Sequence, residues 1–297
     1  MGNQKIFDSL RRMISNHPYQ NQIAAIATIH HKDEAIGPIL KKYLGLNLIC
    51  VDEFNTDLLG TFTGEIPREM NMLETAKEKA KQAINFSNAF IGIGSEGSFG
   101  PHPYIPFLAS GLEILALIDS STNNEVIVSH HFDTNYDNLI TDPNENVIPF
   151  LNKIGFPEHS VIVKPEILSE KNQLIKGINV FDELVMAIKY LSAQSQTGRV
   201  CIQTDMRAHL NPTRMRNLGI LAKKLALRLS RLCPHCNAPG FGISSVEKGL
   251  LCEECHSPTS LIKAEIYTCK LCGFSQRRHE RNPNARANAR WCDICNP

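Results

Sequence analysis

Little in this sequence commits it to a membrane or to a disulfide scaffold. Its 297 residues include one tryptophan and 7% aromatics. No apolar run approaches the ~18 residues a membrane-spanning helix needs, which excludes a helical membrane protein. The first 22 residues, MGNQKIFDSLRRMISNHPYQNQ, contain no apolar core of a secretory signal. Ile6 stands where a myristoylation motif wants Ser or Thr. A cytoplasmic protein without membrane partners is expected. Cysteine is nearly absent before residue 233. Cys50 and Cys201 lie alone in apolar runs, LNLICVDEF and GRVCIQTD, and read as small buried hydrophobes.

Net charge is also small, +1, but it is unevenly placed. Residues 199–297 hold 16 Lys and Arg against 7 Asp and Glu, net +9, and residues 1–198 hold 15 against 23, net −8. A basic module attached to an acidic one is implied. Thiolates binding metal in the basic part would reduce the contrast.

Length suggests about two domains of ~150 residues. An extension over 1–21, an α/β domain over 22–231 and a cysteine module over 232–297 are expected. QIAAIATI has the length of a buried strand, and HHKDEAIGPILKKYLG carries apolar residues at helical spacing before Gly45. LNLICV makes the unit βαβ, so its two strands should be parallel. NMLETAKEKAKQAINF is an amphipathic helix with Asn71 and Glu74 placed as a capping box. NAFIGIG follows as a strand. LEILALID and EVIVSHH flank STNNE as an antiparallel hairpin. Residues 133–180 carry no clear period. FDELVMAIKYLSAQSQ is a helix, GRVCIQTD a strand, and Asn211-Pro212 opens a further helix. The fold class expected is α/β: a mixed, mostly parallel sheet with helices on both faces, followed by a double zinc ribbon.

The stretch IGIGSEGSFGPHP contains G-x-G-x-x-G at Gly92, Gly94 and Gly97. A dinucleotide site needs a helix directly after the third glycine. Pro101, Pro103 and Pro106 exclude one here. No Lys-Ser/Thr follows, so it is not a phosphate loop of the NTPase kind. The expectation that remains is a strand ending in a glycine-rich loop that bears Ser95, Glu96 and His102. Nearby strand-end loops offer Lys32 (in ATIHHKDEAI), Thr61, Thr63, Glu65 and Arg68 (in GTFTGEIPRE), and Asp119. Carboxylates beside Lys and Arg suit a Mg²⁺-bridged phosphate: acids hold the hard cation and bases the phosphate oxygens. Glu96, Glu65 and Asp119 are the candidate metal ligands, and Lys32, Thr63, Arg68 and Ser95 the candidate phosphate contacts.

The order strand, T-x-x-x-K, helix, strand, Thr/Gly-rich loop, ETAKEKAKQA, AFIGIGSEGSFG resembles the house-cleaning inosine/xanthosine triphosphate pyrophosphatases over about residues 22–130. That resemblance implies Lys32 as a phosphate contact and Glu96 as a metal ligand. Ile29 or His30 stands where that family has Asn, and GPHP replaces its hairpin continuation. The segments GTFTGE, SEGSFGPHP, TDMRAHLNPTRM, CPHCNAPGFG and WCDICNP are similar, over nearly the whole chain, to a bacterial family labelled a domain of unknown function (number 6671). That resemblance implies no activity.

TDMRAHLNPTRM places Asp205, Arg207 and His209 at a strand end and Arg214 in the first turn of the next helix. An anion site is one reading, with His209 as general acid or base. Salt bridges tying sheet to helix are the other. Eight cysteines then form four C-x-x-C pairs: Cys233/Cys236, Cys252/Cys255, Cys269/Cys272 and Cys292/Cys295. Their spacing fits two structural zinc ions. The simple pairing joins neighbouring pairs into two ribbons, and a cross-brace is the alternative. The arginines of QRRHERNPNARANAR would offer such ribbons a surface for nucleic acid or another protein. Two functions follow: a Mg²⁺-dependent phosphohydrolase for a small phosphorylated substrate such as a nucleotide, or a non-enzymatic nucleic-acid-binding or adaptor protein.

Overall fold

Ile23–Ala27 (β1), Asp33–Leu44 (α1) and Asn47–Val51 (β2) form the expected βαβ unit, with β1 and β2 parallel. The computed structural model describes residues 17–60, 69–167, 174–279 and 285–297. Thr61, Thr63, Glu65 and Arg68 lie outside the described residues. Gly45 ends α1 in the left-handed conformation, φ 68°, as its place in the sequence requires. Asn71 caps Met72–Asn85 (α2) by accepting the amide hydrogen of Glu74.

The first sheet has the order β2-β1-β3-β4-β5, with Ile91–Pro101 as β3, Ala109–Asp119 as β4 and Asn124–Asp133 as β5. The β1–β3 pair is parallel, and β3–β4 and β4–β5 are antiparallel. The alternation of β1 sorts its two faces. Ala24 and Ile26 join the core under α1 and Pro212–Leu229 (α5). Ala25 and Ala27 join a smaller core with Ala83 of α2.

Strand β3 does not end at the glycines but continues to Pro101, paired along its length with β4. A Cβ on Gly92 would strike the backbone carbonyl of Ala80, and one on Gly94 that of Ala76. Helix α2, which presents Ala76, Ala80 and Ala83 as buried residues, therefore lies directly on the strand. Expansion here must push a whole helix away. Gly94→Ala is expected to cost about 1–3 kcal/mol, as overpacked cores do. Urea denaturation of the zinc-loaded protein checks this, and a loss below ~0.5 kcal/mol would mean the contact relaxes freely.

The expected single, mostly parallel sheet is corrected in two ways. The first sheet is only partly parallel. A second sheet, order β6-β9-β7-β8, is wholly antiparallel and comprises Asn138–Thr141 (β6), Val161–Pro165 (β7), Ile175–Ile178 (β8) and Val200–Thr204 (β9). Two of its strands are four residues long, too short for a period to register. Its core packs Val161, Val163, Val200 and Ile202 against Phe150 and Leu151 of Ile148–Ile154 (α3) and Leu184, Ile188 and Leu191 of Phe181–Gln194 (α4).

Helix α5 joins the two sheets. It starts beside β9 and lies with α1 on the first sheet, burying Leu218, Leu221, Leu225 and Leu229. Residues 17–21, expected as part of an extension, pack into this unit: Tyr19 is buried, and His17 Nε2 meets the Leu229 carbonyl at 3.0 Å. The cysteine segment adds a third sheet of Gly242–Lys248 (β10), Ile262–Thr268 (β11) and Ser275–His279 (β12). Arg228 at the end of α5 donates to the Gly240 and Ile243 carbonyls at 2.7 and 3.0 Å, and Asn124 donates to Pro239 at 2.9 Å. No helix among the described residues is long and apolar enough to cross a membrane.

Candidate functional site: a cationic cleft and two cysteine clusters

The junction of the first two sheets opens a small cleft of about 60 Å³. The first sheet contributes His30 and Lys32 after β1, Asp57 and Gly60 after β2, Lys79 of α2, and Glu96 and Phe99 of β3. The second contributes Lys176, Asp205 and Arg207, and α5 contributes Arg214. Five cationic side chains thus line the cleft against three carboxylates.

Most of these charges are committed to partners. Lys79 Nζ and Glu96 Oε2 lie 2.6 Å apart, both nearly buried. Asp205 is fully buried and saturated with donors: the Arg207 side chain at 2.6 Å, the Arg207 amide at 3.0 Å and the Gly177 amide at 3.1 Å. Arg214 donates to Glu113 Oε1 at 2.6 Å and to the Met206 carbonyl, and its guanidinium lies 4.9 Å from the Phe99 ring centre. Gly97 leaves room for that pair, since a Cβ there would sit 2.6 Å from Arg214 and 2.7 Å from Glu113.

Lys32 differs from the rest. It is 6% exposed, and among the described residues its ammonium donates only to the carbonyl and hydroxyl of Ser95, both at 3.3 Å. No carboxylate among the described residues pairs with it. Burial lowers its pKa to about 7; Arg214 adds to this and Glu113 opposes it. A buried ammonium that pairs with no carboxylate among the described residues, facing a cleft rich in cations, is a place for an anion.

His30 sits at the first turn after β1. Its amide donates to Thr28 Oγ1, and its Nε2 meets Asp57 Oδ1 at 3.4 Å. Burial, the largest influence, holds its pKa below the ordinary value, while Asp57 pulls the other way. Asp57 is lowered by the bond to His30. With the ring neutral, Asp57 beside Nε2 favours the tautomer that carries its proton there. The His209 ring stacks on His30 with centres 5.4 Å apart, and His209 is itself lowered by burial.

The structure thus brings Lys32, Ser95, Glu96, Asp205, Arg207 and Arg214 together, with His209 against the His30 ring. Two expected members do not join. Asp119 pairs with Ile91, five residues and ~17 Å along the strand from Glu96. It accepts from Tyr19 and Ser121 instead. The antiparallel course of β4 carries its last residue to the opposite end of the sheet. His102 caps the β3–β4 turn, its Nδ1 accepting from the Tyr104 and Ile105 amides. Asp119 is thus remote from Glu96, Glu96 is held by Lys79, and Glu65, the third expected Mg²⁺ ligand, lies outside the described residues. Among the described residues, metal-ligand clusters of His, Cys, Asp or Glu are confined to the cysteines. His30, Asp57, Lys79 and Lys176 were not identified from the sequence. His30 and Asp57 sit in turns after strands, where sequence spacing gives no pairing. Lys79 is one of several lysines on an outwardly ordinary helix.

The cysteines form two groups. Cys233, Cys236, Cys269 and Cys272 are one; Cys252, Cys255, Cys292 and Cys295 are the other. This is the cross-brace, and the simple pairing of neighbours is corrected. Antiparallel β10, β11 and β12 fold the chain back so that the third pair meets the first. Sulfur separations across pairs are 3.7, 3.6, 3.9 and 3.5 Å. Tetrahedral sulfurs ~2.3 Å from a zinc ion stand about 3.8 Å apart, so each group could hold one ion. Each pair shares one turn: the amides of Asn237, His256, Gly273 and Asn296 donate to the carbonyls of Cys233, Cys252, Cys269 and Cys292. Three of these residues have positive φ, which Asn, His and Gly tolerate more readily than β-branched residues.

No curated protein and no solved structure matches this chain. A family model matches residues 79–297, a span that contains Lys79, Glu96, Asp205, Arg207, Arg214 and all eight clustered cysteines but begins after His30, Lys32 and Asp57. The chain therefore belongs to the family described as a domain of unknown function (DUF6671).

Proposed function

We propose that the cleft binds the phosphoryl group of a small molecule, a nucleotide or nucleotide-like phosphate, and hydrolyses it. The observation that carries this reading is Lys32, a buried ammonium paired with no carboxylate among the described residues, beside four further cations. The oxygens of a phosphoryl group would supply the missing acceptors and charge. Phosphate would then be held by protein cations directly, and no step is assigned to Mg²⁺. The cysteine module, with one zinc ion in each group, holds the C-terminal segment against β5 and α5 as a structural unit.

Titration calorimetry of zinc-loaded protein with inorganic pyrophosphate, in Mg²⁺-free buffer at pH 8, tests the reading. Lys32 is then mostly neutral, and an anion beside it favours the charged form, so binding should take up protons. The apparent enthalpy will change with the ionisation heat of the buffer. Lys32→Met should weaken binding about 10–100-fold, the worth of a charged hydrogen bond, and remove the buffer dependence. Absence of binding, or unchanged binding by Lys32→Met, would sink the reading.

A second reading rests on the cysteine module. Arg277 and Arg278 lie on β12, at the edge of its sheet, and the Arg290 guanidinium is 5.3 Å from the half-exposed ring of Trp291. Such groups suit nucleic acid. Arg277 is paired with Glu247 at 2.6 Å, however, which weakens that field. Binding of single-stranded oligonucleotides that falls steeply with salt would favour this reading.

A further inference from the structure

We infer that His30, oriented by Asp57, is the group that takes the proton from the attacking water in the cleft; this rests on the phosphoryl reading above. Three observations support it independently of any titration. His30 lines the cleft beside Lys32 and Arg214. Its ring is held on one edge by Asp57 and on one face by His209. Its other nitrogen, Nδ1, is buried and has no hydrogen-bond partner among the described residues.

A buried ring nitrogen left unpaired costs about 1–3 kcal/mol and calls for an explanation. The tautomer supplies one. Because Asp57 accepts from Nε2–H, Nδ1 carries the lone pair and is a base. A basic ring nitrogen, an orienting carboxylate on the opposite nitrogen and a stacked ring together describe a fixed proton acceptor. The charged and titratable groups around it are Asp57 after β2, Lys32 and Arg214 across the cleft, and His209 at its face, with His31 against the ring of His209. The cations oppose protonation and Asp57 favours it.

The water oxygen forms a bond to phosphorus as Nδ1 accepts one water proton. The bond from phosphorus to the leaving oxygen breaks, its electron pair stays on that oxygen, and the Lys32 ammonium supplies a proton there. Exchange with solvent returns the imidazolium and the amine to their starting states. Water is the only co-reactant.

The test uses the full zinc-loaded chain. Phosphate release from p-nitrophenyl phosphate, pyrophosphate and nucleoside triphosphates is followed from pH 5 to 9, alongside pyrophosphate affinity. His30→Gln is expected to keep the affinity within about 3-fold and to lower kcat about 10²–10⁴-fold. The acidic limb of the kcat profile should vanish with it. Asp57→Asn removes a group that raises the His30 pKa, so the acidic limb should move to lower pH. A merely structural His30 would not move that limb. Wild-type protein that binds pyrophosphate but releases no phosphate would overturn the inference and leave anion binding standing. So would His30→Gln that keeps kcat within ten-fold, or an unmoved limb in Asp57→Asn. Failure of the wild type to bind pyrophosphate would instead remove the phosphoryl reading and the inference together.

Discussion

Replacing Cys236 and Cys272 together by serine is expected to lower the zinc content of the chain from two ions to one. Both belong to the same group in the cross-brace, so the Cys252, Cys255, Cys292 and Cys295 group keeps its full ligand set. Had neighbouring pairs shared an ion, the same double substitution would break both sites and leave none. Zinc measured by atomic emission after gel filtration distinguishes one from zero directly. The energetic consequence is large. Structural zinc sites of this kind contribute about 10–16 kcal/mol at pH 7, and small modules lose their fold without it. The core beside the first group holds only Cys233, Ala238, Phe241, Tyr267 and Cys269, with Phe274 packed against it. Two of those five are the ligands themselves. The double variant should therefore lose the docking of the module onto α5, where Arg228 meets Gly240 and Ile243. Trp291, the one tryptophan, sits beside Cys292 in the other group and reports whether that site survives. Little change in Trp291 fluorescence with loss of one zinc is the expected pair of results. Retention of both ions would overturn the assignment of ligands.

The cysteine pairs and the caps were legible in sequence because each is a local pattern. A C-x-x-C pair closes its own turn, and Asn71 and Asn211 each reach an amide three residues on. What could not be read is what the chain's return path decides. Spacing along the chain does not reveal that the antiparallel β10 and β11 bring Cys269 back to Cys236. The second sheet hid for the same reason, since β6 and β9 pair across some sixty residues of sequence. The glycines misled in a more instructive way. The strand was expected to end at Gly94 in a glycine-rich loop, whereas it runs on to Pro101, and Gly92 and Gly94 mark where a helix backbone presses on it. Glycine serves both purposes, and only the neighbour tells which. In the cleft, Lys32, Glu96, Asp205, Arg207 and Arg214 stood out as charges at element ends. Their partners Lys79 and Glu113 did not, because a charged residue inside a helix or a strand reads as solvated until its buried neighbour is known.

Arg214→Met is expected to cost about 3–5 kcal/mol of stability, the range for breaking a buried ion pair on one side. Arg214 ties the two sheets: Nε reaches Glu113 on β4 of the first, and the guanidinium also donates to Met206, just beyond β9 of the second. Glu113 is fully buried, and its Oε2 already lacks a partner. Removing Arg214 would leave both carboxylate oxygens unpaired in the interior, close to the Lys32 ammonium. The protein can relieve this only by protonating Glu113 or by opening the cleft to water. Two measurements separate these roles. Urea denaturation of zinc-loaded Arg214→Met gives the loss itself, and a loss under 1 kcal/mol would mean the pair is not what holds the sheets. Adding Glu113→Leu should return most of that stability, because an apolar pair replaces a buried ionic one at little cost. The same double variant then reports on the cleft. If Arg214 acts there mainly through Glu113, pyrophosphate affinity should fall much less than in Lys32→Met. If the double variant is as stable as the parent yet binds as poorly as Lys32→Met, Arg214 itself contacts the anion, and its bond to Glu113 serves to aim it.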